Sequence, residues 1–361
     1  MKKILNLALC LFLLCSCSAA TKGHVEEASN YSSQYQGFTY YRDQLNDSDT
    51  KIYDLIYYHI SKRDESYGIE AKDKDTLFKI YNYVLSDHPE LFWEDGSEVT
   101  YTESAQTFEI YASKTFTNEE IRAYEKQLDE ITQPIMDHVA KLSNDFEKVR
   151  YIYDYLIDET SYNENSVHNQ TILSVFLYRS SVCAGYAKSM QYLLNKAGIP
   201  CTYLWGKTTY ADEEHAWNMI KLNDHYYYLD ATNGDISDEE IDQRWRYNFM
   251  TMNSEQMLQL YQPKEKYEET TAVEDSYFYQ QNAYFTNYDE SKIKALLEKE
   301  KKKEKPAIFF QCSTNDVCKD IDDKLKRDNK IFNLADENGI HIDQYHNYQS
   351  EETQSRLYEL Y

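Results

Sequence analysis

Ser180-Ser181-Val182-Cys183-Ala184-Gly185-Tyr186-Ala187 opens the most strongly patterned helix in this chain. From there Tyr186, Met190, Leu193, Leu194 and Ala197 recur at the spacing of one helix face, and Gly198 ends the run. The two serines offer an N-cap, which places Cys183 in the first turn. The helix dipole and the free N–H groups at that end favour a thiolate. Gly185 lets a neighbour approach the helix closely. A thiol in such a place is either a nucleophile or a buried structural cysteine.

The next patterned stretch is His215-Ala216-Trp217-Asn218-Met219-Ile220-Lys221, then Asn223-Asp224, then Tyr226-Tyr227-Tyr228-Leu229-Asp230. Two apolar-rich runs around a polar turn predict a β-hairpin. If Asn223-Asp224 is a two-residue turn, Leu222 faces His225, and Asp230 lies one diagonal step from His215 on the same face. Moving the turn by one residue puts His215 directly opposite Asp230. Either register lets a carboxylate orient an imidazole. A cysteine nucleophile needs a base to take its proton, and the base needs an orienting acceptor, so Cys183, His215 and Asp230 are the candidate catalytic set. The Cys183 backbone N–H is a candidate oxyanion donor.

These segments, together with Ala197-Gly198-Ile199 and Tyr228-Leu229-Asp230-Ala231-Thr232, resemble the core of the bacterial transglutaminase-like superfamily over roughly residues 145–260. The upstream Asp87-His88-Pro89-Glu90-Leu91-Phe92-Trp93 is similar to the N-terminal region of secreted members from Gram-positive bacteria. The resemblance implies a papain-like α+β core, in which a helix bearing Cys packs on an antiparallel sheet bearing His and Asp. It also implies attack by Cys183 on a carboxamide or peptide carbonyl to give a thioester. Gln170 is implied as a second oxyanion donor, and Trp217 as a core aromatic or a substrate-binding wall of the acyl pocket. Where the family often has Thr-Trp-Asp after the aspartate, this chain has Thr232-Asn233-Gly234-Asp235.

Outward from the core, periodicity predicts helices over 38–62, 73–86 and 117–142, and strands at Val99–Tyr101 and Thr107–Ala112. Ser143-Asn144-Asp145, with Glu147 following, marks a new helix start. Tyr247–Met252 is predicted as a strand, and the charged run 298–305 as a solvated helix end stopped by Pro306. Ile308–Cys312 then suits a strand and Val317–Leu325 a helix. The domain expectation is therefore an α+β N-terminal region over 38–142, the core over 143–260, and a C-terminal helical and small α/β appendage over 261–361. Cys201 is expected in the core, and Cys312 and Cys318 are near enough in sequence to be bridged.

At the N-terminus, Lys2-Lys3 and the apolar run Ile4–Leu14 read as a signal peptide over 1–17. Leu14-Cys15-Ser16-Cys17 resembles the lipobox of bacterial lipoproteins, which makes Cys17 the lipidated residue and 18–37 a flexible tether. The expected location is the outer face of the bacterial cytoplasmic membrane. With 38 basic against 62 acidic residues, the net charge of −24 repels phosphates, so nucleic acid is not an expected partner. The expected partners are a protein or peptide substrate and, through the lipid, a membrane. No H-E-x-x-H occurs and the nine His are scattered. Gly234 falls one place early for an EF-hand loop, so no metal or other cofactor is expected. The competing functional class is a catalytically inactive surface lipoprotein that binds proteins or peptides.

Overall fold

A computed structural model of the chain describes residues 25–94, 98–102, 107–236 and 241–361. The signal segment and Cys17 lie outside the described residues. The N-terminal unit comprises α1 (25–32), α2 (Asp47–Lys62), β1 (Ser66–Glu70), α3 (Lys74–Asp87), β2 (Glu98–Thr102), β3 (Thr107–Tyr111) and α4 (Asn118–Val139). Local sequence starts these helices. Asn46 accepts the Ser48 and Asp49 N–H groups, Asp73 accepts that of Thr76, and Thr117 with Glu120 closes a capping box. β1 was not anticipated, because it is a five-residue strand interrupted by Gly68, yet Tyr67 and Ile69 alternate inward. The tether expectation is corrected for α1, where Ala28 is buried and the Tyr31 ring packs on Tyr57 and Tyr58. Aromatic burial of that kind outweighs the polar composition of the segment.

The core runs through α5 (Asp145–Asp158), β4 (Ser161–Tyr162), α6 (Ile172–Phe176), β5 (Ser180–Ser181), α7 (Cys183–Lys196), β6 (Cys201–Thr208), β7 (Glu214–Leu222), β8 (His225–Leu229), α8 (Ala231–Gly234), α9 (Ser254–Leu260) and β9 (Tyr261–Pro263). Its antiparallel sheet has the order β8-β7-β6-β9. Ile220, Tyr227 and Leu229 on one face join Ile152, Tyr186, Met190 and Leu193 of α5 and α7. Leu204, Trp217, Met219 and Tyr228 on the other join Tyr53, Ile56, Ile80 and Val84 of the N-terminal unit. Each fully buried side chain of this size contributes roughly 1.5–3 kcal/mol. The sheet is thus covered on both sides, and the N-terminal unit supplies one of the covers.

Residues 261–263 complete the core sheet, so the expected boundary at 260/261 moves past Pro263. Tyr247–Met252 is not a strand. Asp242 accepts the Arg244 N–H and starts a 3-10 helix over Gln243–Phe249, after which Met252 makes an isolated bridge to Tyr228. Farther on come α10 (Tyr277–Gln280), β10 (Tyr284–Phe285), α11 (Glu290–Glu300), β11 (Ala307–Cys312), α12 (Asn315–Lys326), α13 (Lys330–Glu337), β12 (Tyr345–Ser350) and β13 (Ser355–Leu360). Their sheet has the order β10-β11-β13-β12 around a core of its own. Cys312 and Cys318 are joined in a disulfide between β11 and α12.

Candidate active site

Three local features bring the candidate residues together. Cys183 is the first residue of α7, as its position suggested, but the cap differs from expectation. Val182 is the N-cap and offers no side-chain acceptor, while Ser180-Ser181 pair as β5 with β4 in parallel. The Ser181 hydroxyl is engaged with Ser174 at 2.7 Å. A Cβ on Gly185 would lie 2.0 Å from that Ser181 oxygen, so only glycine lets the strand turn so tightly into the helix. Among the described residues no acceptor takes the Cys183 N–H, which leaves a donor beside the thiol. Cys183 is a free, partly exposed thiol, whereas Cys201 is buried in the core.

The hairpin takes the first of the two registers. Leu222 pairs with His225 across Asn223-Asp224, both of which have positive φ, as a tight two-residue turn of strands demands. Pairing stops at Asn218 with Leu229, because Asp230 leaves the ladder to cap α8. Its Oδ1 accepts the Thr232 and Asn233 N–H groups at 2.9 and 3.1 Å. Its Oδ2 lies 2.7 Å from His215 Nε2 and accepts the Tyr261 hydroxyl at 2.5 Å. All four lone-pair sites of the carboxylate are therefore engaged.

Electrostatics follow from that geometry. Burial disfavours a charged His215, but the charge and hydrogen bond of Asp230, with a further hydrogen bond and charge from Cys183, outweigh it and push His215 up to about 10. Burial likewise opposes ionisation of Asp230, yet His215, Tyr261 and the backbone of Asn233 hold its carboxyl below the usual range. Asp230 takes Nε2, so Nδ1 is the ring nitrogen left for the thiol. The exposed Tyr162 and Tyr210 lie within electrostatic reach of Cys183 at the mouth of the site.

Residues 131–231 match the family model described as the transglutaminase-like superfamily. This segment is a transglutaminase-like domain. No curated protein matches the chain. Solved structures similar to it include a proposed cysteine protease from Cytophaga hutchinsonii, at 16% identity over 38% of this chain and 61% of that one, with a TM-score of 0.27. Another is a TGase, at 12% identity over 49% and 53%, with a TM-score of 0.30. A third is the periplasmic domain of TgpA from Pseudomonas aeruginosa bound to ethylmercury, at 17% identity over 38% and 59%, with a TM-score of 0.26. The chain therefore spans less than two thirds of each of those chains.

Within the transglutaminase-like domain, the two remaining expected residues sit differently from each other. Gln170 is exposed and its side-chain amide donates to Asn169 Oδ1 at 3.2 Å. Trp217 is 0% exposed and stacks on Tyr261 at 4.6 Å. It takes the core-aromatic alternative, its side chain joining the N-terminal unit while its ring lies 6.2 Å from the His215 ring. Tyr261 went unnoticed in the sequence. It is one of 36 tyrosines and follows Asp230 by 31 residues, so no local pattern marks it.

Proposed function

We propose that the chain is a cysteine enzyme that attacks a carboxamide or peptide carbonyl through a thioester. The observation that carries this reading is the buried His215 Nε2–Asp230 Oδ2 contact of 2.7 Å, with the other side of the imidazole turned to a free thiol at a helix N-terminus. With its proton already resting on His215, Cys183 Sγ bonds to the carbonyl carbon, whose oxygen becomes an oxyanion facing the Cys183 N–H. Collapse breaks the C–N bond, and His215 returns the proton to the leaving amine. The thioester then passes its acyl group to water, which gives hydrolysis or deamidation, or to an amine, which gives cross-linking. The partial exposure of the thiol favours hydrolysis.

The deciding measurement is alkylation of Cys183 by iodoacetamide across pH, located by mass spectrometry. The unaltered chain should label rapidly near neutral pH, and His215→Ala and Asp230→Asn should label at least about tenfold more slowly. Labelling at the rate of an ordinary thiol in all three would overturn the reading and favour a binding module. The site is proposed to act at the outer face of the cytoplasmic membrane, anchored by lipid on Cys17. Incorporation of radiolabelled palmitate that persists in Cys17→Ser would contradict that anchor.

A further inference from the structure

We propose that Tyr261 is a positioning residue of the candidate active site, clamping Asp230 in the orientation that holds His215 toward Cys183. The inference rests on the enzyme reading above and adds to it a residue thirty positions beyond the segment that matches the family model. Tyr261 is 0% exposed and enters from β9, the edge strand of the core sheet. That strand can come close only because Gly206, paired with His215 on its other side, has no side chain. A Cβ there would sit 2.1 Å from the Gln262 carbonyl. The Tyr261 hydroxyl donates to Asp230 Oδ2, the same oxygen that engages His215, and accepts a hydrogen bond from Asn233 Nδ2 at 2.7 Å. Its ring lies 5.3 Å from the His215 ring at an interplanar angle of 24°, and is backed by Trp217. The chain of contacts runs from Asn233 through Tyr261 and Asp230 to His215.

Other groups facing the pair are Cys183 on α7, Tyr210 before β7, and Tyr153 of α5, whose hydroxyl donates to the Asp230 carbonyl at 3.3 Å. None of these donates to Oδ2. The Tyr261 O–H therefore shares that oxygen's charge with the imidazole, and Asn233 strengthens it as a donor. Removing the hydroxyl while keeping the ring leaves His215 the sole partner of Oδ2 and raises the imidazole's hold on its proton.

The test is the titration of His215, followed by NMR of histidine-labelled full chain. Tyr261→Phe should move the His215 midpoint upward by roughly half a unit to one unit. Asn233→Ala should move it in the same direction by less. A midpoint unchanged in folded Tyr261→Phe would overturn the proposal, as would an unchanged midpoint in Asn233→Ala if the first variant does not fold. A purely structural tyrosine would lower stability and leave the titration where it was. The enzyme reading fails in a different readout, the dependence of Cys183 alkylation on His215, so the two failures are distinguishable.

Discussion

Asp230 in the core and Asp322 in the C-terminal unit are both buried, and each accepts a hydrogen bond of 2.5 Å from a tyrosine hydroxyl. Each also meets a basic side chain, His215 Nε2 at 2.7 Å or Arg356 Nε at 2.8 Å. The neighbouring sulfur differs as well. Cys318, one turn before Asp322 on α12, is tied to Cys312, whereas Cys183 is free. A guanidinium keeps its proton at any ordinary pH, so Asp322 and Arg356 form a fixed clamp between α12 and β13. An imidazole gains and loses one, so the Asp230 arrangement can pass a proton to and from a thiol. The carboxylate and tyrosine are common to both places, and the identity of the base decides whether the result is structure or chemistry.

The largest break in this comparison is expected from Arg356→Ala. It strands a buried Asp322 and should cost about 3–5 kcal/mol in urea denaturation of the C-terminal unit. The rate of Cys183 alkylation should stay the same; a matching fall in that rate would mean the two sites are not separate. A smaller effect should appear on raising pH. His215 holds its proton more tightly folded than unfolded, so its contribution to stability is complete below the unfolded value near 6.5 and is lost as pH rises through about 10. The advantage of the unaltered chain over His215→Gln in denaturation midpoint should therefore shrink between pH 7 and pH 10, by about 2–3 kcal/mol. The Arg356 clamp should show no such change against Arg356→Ala across the same range. A His215 advantage that is flat with pH would mean the imidazole is not charged in the fold.

Much of the candidate site was legible because its signals are local. The stripe from Tyr186 to Leu194 set the helix and so the place of Cys183, and Asn223-Asp224 set a hairpin with only two registers to choose between. The same is true of the Asn144 cap, which accepts the Glu147 N–H at 2.9 Å. Less local readings went astray. Ser180 and Ser181 have the composition of a cap, yet β4 claims them by pairing from 19 residues upstream. For Trp217 the sequence left two alternatives, core aromatic or pocket wall, and only the N-terminal unit covering that face of the sheet puts it in the core. Gln170 lies before the helix in sequence and still turns its amide to Asn169.

What the sequence by itself determined is the set of elements and the order of thiol, imidazole and carboxylate along them. Helical periodicity, turn residues and caps act within a few residues and survive in any context. Only the tertiary structure decided that Asp230 leaves its strand to cap α8, that β9 closes on Gly206, and that one tyrosine of many fills the last lone pair of the carboxylate. The Tyr261–Asp230 bond and the approach of β9 to Gly206 join residues 31 and 56 positions apart, and a buried carboxylate can recruit such donors only once the surrounding layers have excluded water.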